Sequence, residues 1–143
     1  MSRIEIAFPD RSVFQTDIPV RITDLNYAGH VGHDRVLSMT HEARARLLAL
    51  HGWTELDIEG VGIAVADVAA VYRAESRYGM VISVQVAVAE LRTRACDMYY
   101  RLIDQKTGSP IADVKTGLVF FDYRTKRVSR MPELFRQTFA SVQ

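Results

Sequence analysis

Residues 20–50 read VRITDLNYAGHVGHDRVLSMTHEARARLLAL, and the change of hydrophobic period inside this stretch decides the architecture. Up to Ile22 the pattern is that of a strand. Phe14, Thr16, Ile18, Val20 and Ile22 alternate with Gln15, Asp17, Pro19 and Arg21, as expected when one face is wet. Pro19 has no N–H to give to a ladder, so this strand is expected at an edge or paired on one side there. From Asp34 onward the period becomes helical: Val36, Met39, Ala43, Leu47 and Leu50 recur at spacings of 3 and 4, and Leu37 and Leu48 widen the stripe. Asp34, or His33 before it, is placed to cap the first turn, and Gly52 to end a helix of about 17 residues. Between strand and helix, residues 24–33 hold an Asp-x-Asn and two glycines, a polar turn.

Outward from this junction the chain reads as sheet. Ile4, Ile6 and Phe8 lead into a Pro9-Asp10 turn. Residues 61–72 are almost continuously apolar, which predicts a strand covered on both faces. After the turn Glu75-Ser76-Arg77-Tyr78-Gly79, Ile82, Val84, Val86 and Val88 oppose Ser83, Gln85, Ala87 and Ala89. A basic turn, Arg92-Thr93-Arg94, precedes Cys96, Met98, Tyr100 and Leu102, which alternate with Asp97, Tyr99 and Arg101. Residues 106–110 form a hairpin turn, residues 111–121 a final strand, and Pro132 opens a short helix whose apolar side is Leu134, Phe135 and Phe139. The expected architecture is α+β, one domain over residues 1–143. In it a curved antiparallel five-stranded sheet is wrapped around one long central helix, with sheet edges that invite a second copy.

Composition bounds the function. The 143 residues are 48% apolar, enough for one real core, and 18 basic against 17 acidic side chains leave +1, which argues against a nucleic-acid or membrane-surface binder. A single cysteine, Cys96, excludes an intrachain disulfide and a multi-cysteine zinc site, and fits a reducing compartment. No apolar run approaches the roughly 18 residues of a membrane span, so a cytoplasmic protein is expected.

The turn Asp24-Leu25-Asn26-Tyr27-Ala28-Gly29-His30-Val31, followed on the helix by Glu42-Ala43-Arg44, resembles the hotdog-fold acyl-CoA thioesterases of the 4-hydroxybenzoyl-CoA thioesterase type. Their usual pattern is Asp-x-Asp-x-x-Gly-His-Val-Asn-Asn and then a helix bearing Glu-Ala-Arg. The resemblance also covers residues 71–79, the strand to Leu91 and the final strand ending Phe120-Phe121-Asp122. It implies hydrolysis of an acyl-CoA or acyl-carrier thioester by a homodimer or dimer of dimers, with no cofactor. It also implies that backbone amides around Ala28, Gly29 and His30 bind the oxyanion, as free amides at a helix start suit developing charge on oxygen. Gly29 and Gly32 would allow close approach of a ligand, or simply form a tight turn.

One position departs from the pattern. Asn26 stands where many members carry the catalytic aspartate, and an amide cannot take a proton. Asn26 would hold water or polarise the carbonyl, as an asparagine does in plant acyl-carrier-protein thioesterases of this fold, or close an Asx-turn. The base then falls to His33 or His30, unless each merely bonds the turn backbone. At the helix start the dipole should favour neutral His33. The pair lacks a third ligand, so no metal is expected. Glu42 is a reserve base or the partner of Arg46. Asp67, in an apolar strand, has a pKa expected to be raised by burial, and either meets the site, within one copy or across a dimer, or marks a sheet edge. Arg73 and Arg77, with Arg92, Arg94 and Lys115, are candidates for the phosphates of coenzyme A or plain turn charges. A hotdog protein that binds acyl thioesters or another apolar ligand without hydrolysis is the alternative. A dehydratase is third, lacking the glycine- and proline-rich histidine motif.

Overall fold

The period-two stretches become strands and the 3.6-residue stretch becomes the central helix in a computed structural model that describes residues 3–140. The elements in chain order are β1 (Phe14–Pro19), a 3₁₀ turn (Ile22–Asp24), α1 (His33–Leu50), β2 (Gly62–Tyr72), β3 (Val81–Ala89), β4 (Ala95–Asp104), β5 (Pro110–Asp122), β6 (Arg127–Val128) and α2 (Glu133–Ala140). The sheet runs β1-β3-β4-β5-β2, every pair antiparallel, and β6 adds a two-residue pairing to the end of β5. β1 is an edge, as Pro19 requires. Residues 1, 2 and 141–143 of the expected domain lie outside the described residues.

Burial follows the alternation. Ile82, Val84, Val86 and Val88 of β3 and Cys96, Met98, Tyr100 and Leu102 of β4 share one buried cluster with Val36, Met39, Ala43, Leu47 and Leu48 of α1. At one end α2 adds Phe135, whose ring lies 5.0 Å edge-on to Phe120 and 4.7 Å from Phe139. Full burial pushes the Cys96 thiol up to about 12, the mark of an inert core thiol.

Four expectations change. Leu50 is 66% exposed, on the opposite side of the last turn of α1 from the fully buried Leu47, and Leu134 faces out beside the buried Phe135. Helix α1 begins at His33, so its N-cap is Gly32 and neither His33 nor Asp34 caps it. Gly52 does follow the helix end, at φ +78. Residues 61–72 were expected to be covered on both faces. Instead β2 forms the second sheet edge, and residues 65–68 at its middle are exposed.

Less expected is a charge inside the helix's buried face. Arg44 is 5% exposed. Its Nη1 donates to the Tyr100 hydroxyl on β4 at 2.9 Å, which meets Thr116 Oγ1 on β5 at 2.9 Å. Its Nε donates to Glu55 at 3.1 Å, and the other Glu55 oxygen lies 2.6 Å from His41 Nε2. Burial alone would weaken the guanidinium's hold on its proton, but Tyr100 and Glu55 more than offset this. Removing one member of a buried ion pair costs about 3–5 kcal/mol, since the other is stranded. Arg44→Ala should therefore lower the unfolding free energy by that amount in denaturant titrations. Arg44→Met combined with Tyr100→Phe, which removes both partners of the deepest bond, should lose much less.

Candidate active site

The polar turn is built by its own backbone. Arg21 N donates to Asp24 Oδ2 at 2.8 Å, burying that carboxylate, and Gly32 N donates to Asp24 O at 3.1 Å. Asn26 N donates to His30 O at 2.9 Å and Gly29 N to Asn26 O at 3.0 Å, with Gly29 at φ +87, a conformation that favours glycine. Asn26 Oδ1 accepts from Ala28 N at 2.9 Å, which is an Asx-turn. The turn is fastened to the segment following β2 by Val31 N to Ser76 O at 2.8 Å, and the helix start by the Tyr72 hydroxyl to His33 O at 2.9 Å.

Between these two segments lies a cavity of about 360 Å³, lined by Asn26, His30, Val31, His33 and Val36 on one side and residues 72–76 on the other. Three of the nominated catalytic residues thus come together. His30 has acceptors at both ring nitrogens, Val31 O at 3.4 Å from Nδ1 and Glu75 Oε1 at 3.5 Å from Nε2. His33 is exposed, sits edge-on to Tyr72 at 6.3 Å, and its ring nitrogens have no hydrogen-bond partner among the described residues. Burial raises the Tyr72 phenol above its usual value, with Asp34 adding to the effect.

The amides nominated for an oxyanion are divided. Those of Ala28 and Gly29 are already donated within the turn. Those of His30, His33 and Asp34 have no hydrogen-bond partner among the described residues, and the last two open the helix.

Other nominees lie elsewhere. Glu42 borders a separate cavity of about 380 Å³ on the β1 side of α1, with Asp24, His41 and Arg46. There Arg46 Nε donates to Glu42 at 2.8 Å, and Arg46 also bonds Thr16 and Asp17 O, tying α1 to β1. Asp67 sits exposed at an irregularity of β2, taking Lys115 Nζ at 2.8 Å and Gly117 N at 3.0 Å. Asp67 lies on the edge strand β2, and the pKa expected to be raised by burial is instead lowered. The hydrogen bond from Lys115 keeps the Asp67 carboxyl below its usual range. A Cβ on Gly117 would come within 2.6 Å of Asp67 Oδ1, so glycine makes room for this contact. Arg73 reaches the cavity while its Nε donates to Asp113 at 2.8 Å. Arg77 is exposed beside Glu75 at 3.4 Å and does not line it. Arg92 pairs with Asp97 at 3.0 Å, and Lys115 with Asp67.

Tyr72, Glu75 and Ser76 were not nominated, because only the return of β2 beside the first turn brings them in. No three His, Cys, Asp or Glu among the described residues are grouped to hold a metal, and no described helix is long and apolar enough to cross a membrane. Because Asn26 closes its turn through Oδ1, Asn26→Asp keeps that acceptor and should melt close to wild type. Asn26→Ala should lose about 0.5–1.5 kcal/mol in the same thermal unfolding assay.

No curated protein matches the chain in sequence. Among solved structures, a 1,4-dihydroxy-2-naphthoyl-CoA thioesterase from Synechocystis superposes with a TM-score of 0.82 at 16% identity, over 90% of this chain and 96% of that one. A DHNA-CoA thioesterase from Staphylococcus aureus superposes at 0.80 with 19% identity, over 90% and 89%. A hypothetical protein from Thermus thermophilus superposes at 0.79 with 26% identity, over 91% and 97%. The fold is the hotdog fold, a sheet curved around one long helix. The pattern of the thioesterase-like superfamily matches residues 20–139, from the end of β1 through α2, and the chain belongs to that superfamily.

Proposed function

We propose that this chain hydrolyses an acyl-CoA or acyl-carrier thioester to the free acid and thiol. The observation that carries the reading is the unpartnered imidazole of His33, a residue that lines the cavity with His30, where the amides of both residues are unpaired among the described residues. Amides at a helix N-terminus stabilise charge growing on a carbonyl oxygen without reorganising. The amide of His30, with those of His33 and Asp34, takes the oxyanion role first assigned to residues 28–30. Asn26 has its oxygen fixed by Ala28, so its Nδ2 is free to hold water or the carbonyl.

In this mechanism His33 removes a proton from water as the water oxygen bonds the thioester carbon. The tetrahedral intermediate then collapses, the carbonyl re-forms as the C–S bond breaks, and the departing thiolate takes the proton that His33 removed from water, which restores the neutral imidazole. His30 is less suited to be the base because both its ring nitrogens already face acceptors. Arg73, at the rim and bordering a further shallow cavity with Arg3, is placed for a coenzyme A phosphate. The lone buried Cys96 suits work in the cytoplasm.

The test is hydrolysis of aliphatic and aromatic acyl-CoAs with the pH dependence of kcat/KM. Aromatic acyl groups belong in the panel because two of the similar structures are thioesterases named for a dihydroxynaphthoyl group and for DHNA-CoA. His33→Ala should reduce kcat/KM by about 10²–10⁴, the range for a lost general base. Glu42→Gln, in the other cavity, should leave it unchanged. A limb in the neutral range marks an imidazole base, and a more acidic one a carboxylate. A panel without turnover removes the proposal, and tight binding in the same panel selects the non-hydrolytic alternative, for which the missing carboxylate at Asn26 speaks.

A homodimer, alone or as a dimer of dimers, accompanies this reading. The outer edge of β2 is unpaired among the described residues, and Val65 and Val68 on it are 45% and 48% exposed. A second copy pairing there would cover them and close off the cavity that begins at Tyr72. Light scattering on a sizing column should give twice the chain mass, and Val68→Lys should shift it toward the monomer.

A further inference from the structure

Among the described residues, one buried side-chain polar atom has no hydrogen-bond partner: the Ser76 hydroxyl oxygen. Ser76 is 3% exposed and lines the cavity with Asn26, His30 and His33. Folded proteins seldom keep a buried hydroxyl unpaired, because it has given up water for nothing. The carbonyl of the residue is committed, taking Val31 N at 2.8 Å. That bond fixes Ser76 against the turn next to His30, whose amide is also without a partner among the described residues. Alanine could make the same backbone bond without stranding a hydroxyl. The serine is therefore explained by a partner that arrives with the ligand.

We propose that Ser76 is a substrate-contacting residue whose hydroxyl donates to the carbonyl oxygen of the bound thioester, a side-chain donor beside the His30 amide. This rests on the reading of the cavity as a thioester site. Asn26 is limited to one free end by its turn bond, and the ring nitrogens of His30 face Val31 O and Glu75, so among the polar side chains of the cavity the Ser76 hydroxyl is an uncommitted neutral donor beside the backbone amides. The contact strengthens as charge builds on oxygen, without putting another ionised group in the cavity.

The experiment measures calorimetric binding of two stable coenzyme A derivatives of equal chain length: a ketone in which methylene replaces the sulfur, and a thioether without the carbonyl. Ser76→Ala should weaken the ketone about tenfold and leave the thioether unchanged, consistent with the loss of one hydrogen bond. Its melting temperature should be no lower than wild type, since no protein partner is lost. Ser76→Thr, which keeps the hydroxyl, should retain the preference for the ketone. Equal losses for both ligands, no loss for either, or a fall in melting temperature would each overturn the assignment, making the hydroxyl's partner a fixed water or its role purely structural. If the wild-type protein binds neither derivative, the thioester reading of the cavity falls, and this inference with it.

Discussion

The Arg44 guanidinium is the contact on which the arrangement of helix and sheet turns. A stripe of valine, methionine and leucine can slide or rotate against an apolar sheet at small cost, because burial has no direction. A guanidinium bonded to Tyr100 on β4 and to Glu55 in the loop beyond α1 has a direction. Any rotation of α1 would withdraw the charge from its partners in a poorly solvated interior. Glu55 extends the constraint, since its carbonyl accepts from Ile63 N at 2.9 Å and so ties the network to the start of β2.

A helix fixed in rotation has a fixed beginning, and the site is set on that beginning. The unpaired amides of His33 and Asp34 cannot be aimed at a ligand unless the helix behind them is held. On the opposite flank, Arg46 bonds to Glu42, Thr16 and Asp17 and locks α1 to the β1 edge. The two arginines therefore bracket the helix, one from the core and one from the rim. Glu42 belongs to this bracing.

The sequence pattern disclosed the strands, the helix and the turn between them because period and turn chemistry are local properties. Ile82 to Val88 and Cys96 to Leu102 needed no tertiary information to be placed inward. Burial by a distant element left no such trace. Arg44 stood only in the Glu42-Ala43-Arg44 match, with nothing to mark its burial, and β2 looked covered because its residues are almost continuously apolar. The site was half legible for the same reason. Asn26, His30 and His33 sit together in the chain, whereas Tyr72, Glu75 and Ser76 join them only through the antiparallel order that returns β2 to the turn. An exposed-looking serine in a polar turn gives no sign that it will be buried.

The seam between those two segments has a dynamic consequence. The cavity is joined across it by the hydrogen bond from Val31 N to Ser76 O, the hydrogen bond from the Tyr72 hydroxyl to His33 O and the longer His30–Glu75 contact, at the end of an edge strand. The Arg44 network and the aromatic cluster lie elsewhere and do not depend on them. Fraying of the last residues of β2 can thus part the cavity along its length while the core stays folded, a local opening far less costly than global unfolding. The pocket would be among the first regions lost on warming and among the first to exchange its amide protons, and occupancy by a ligand that spans the seam would slow both.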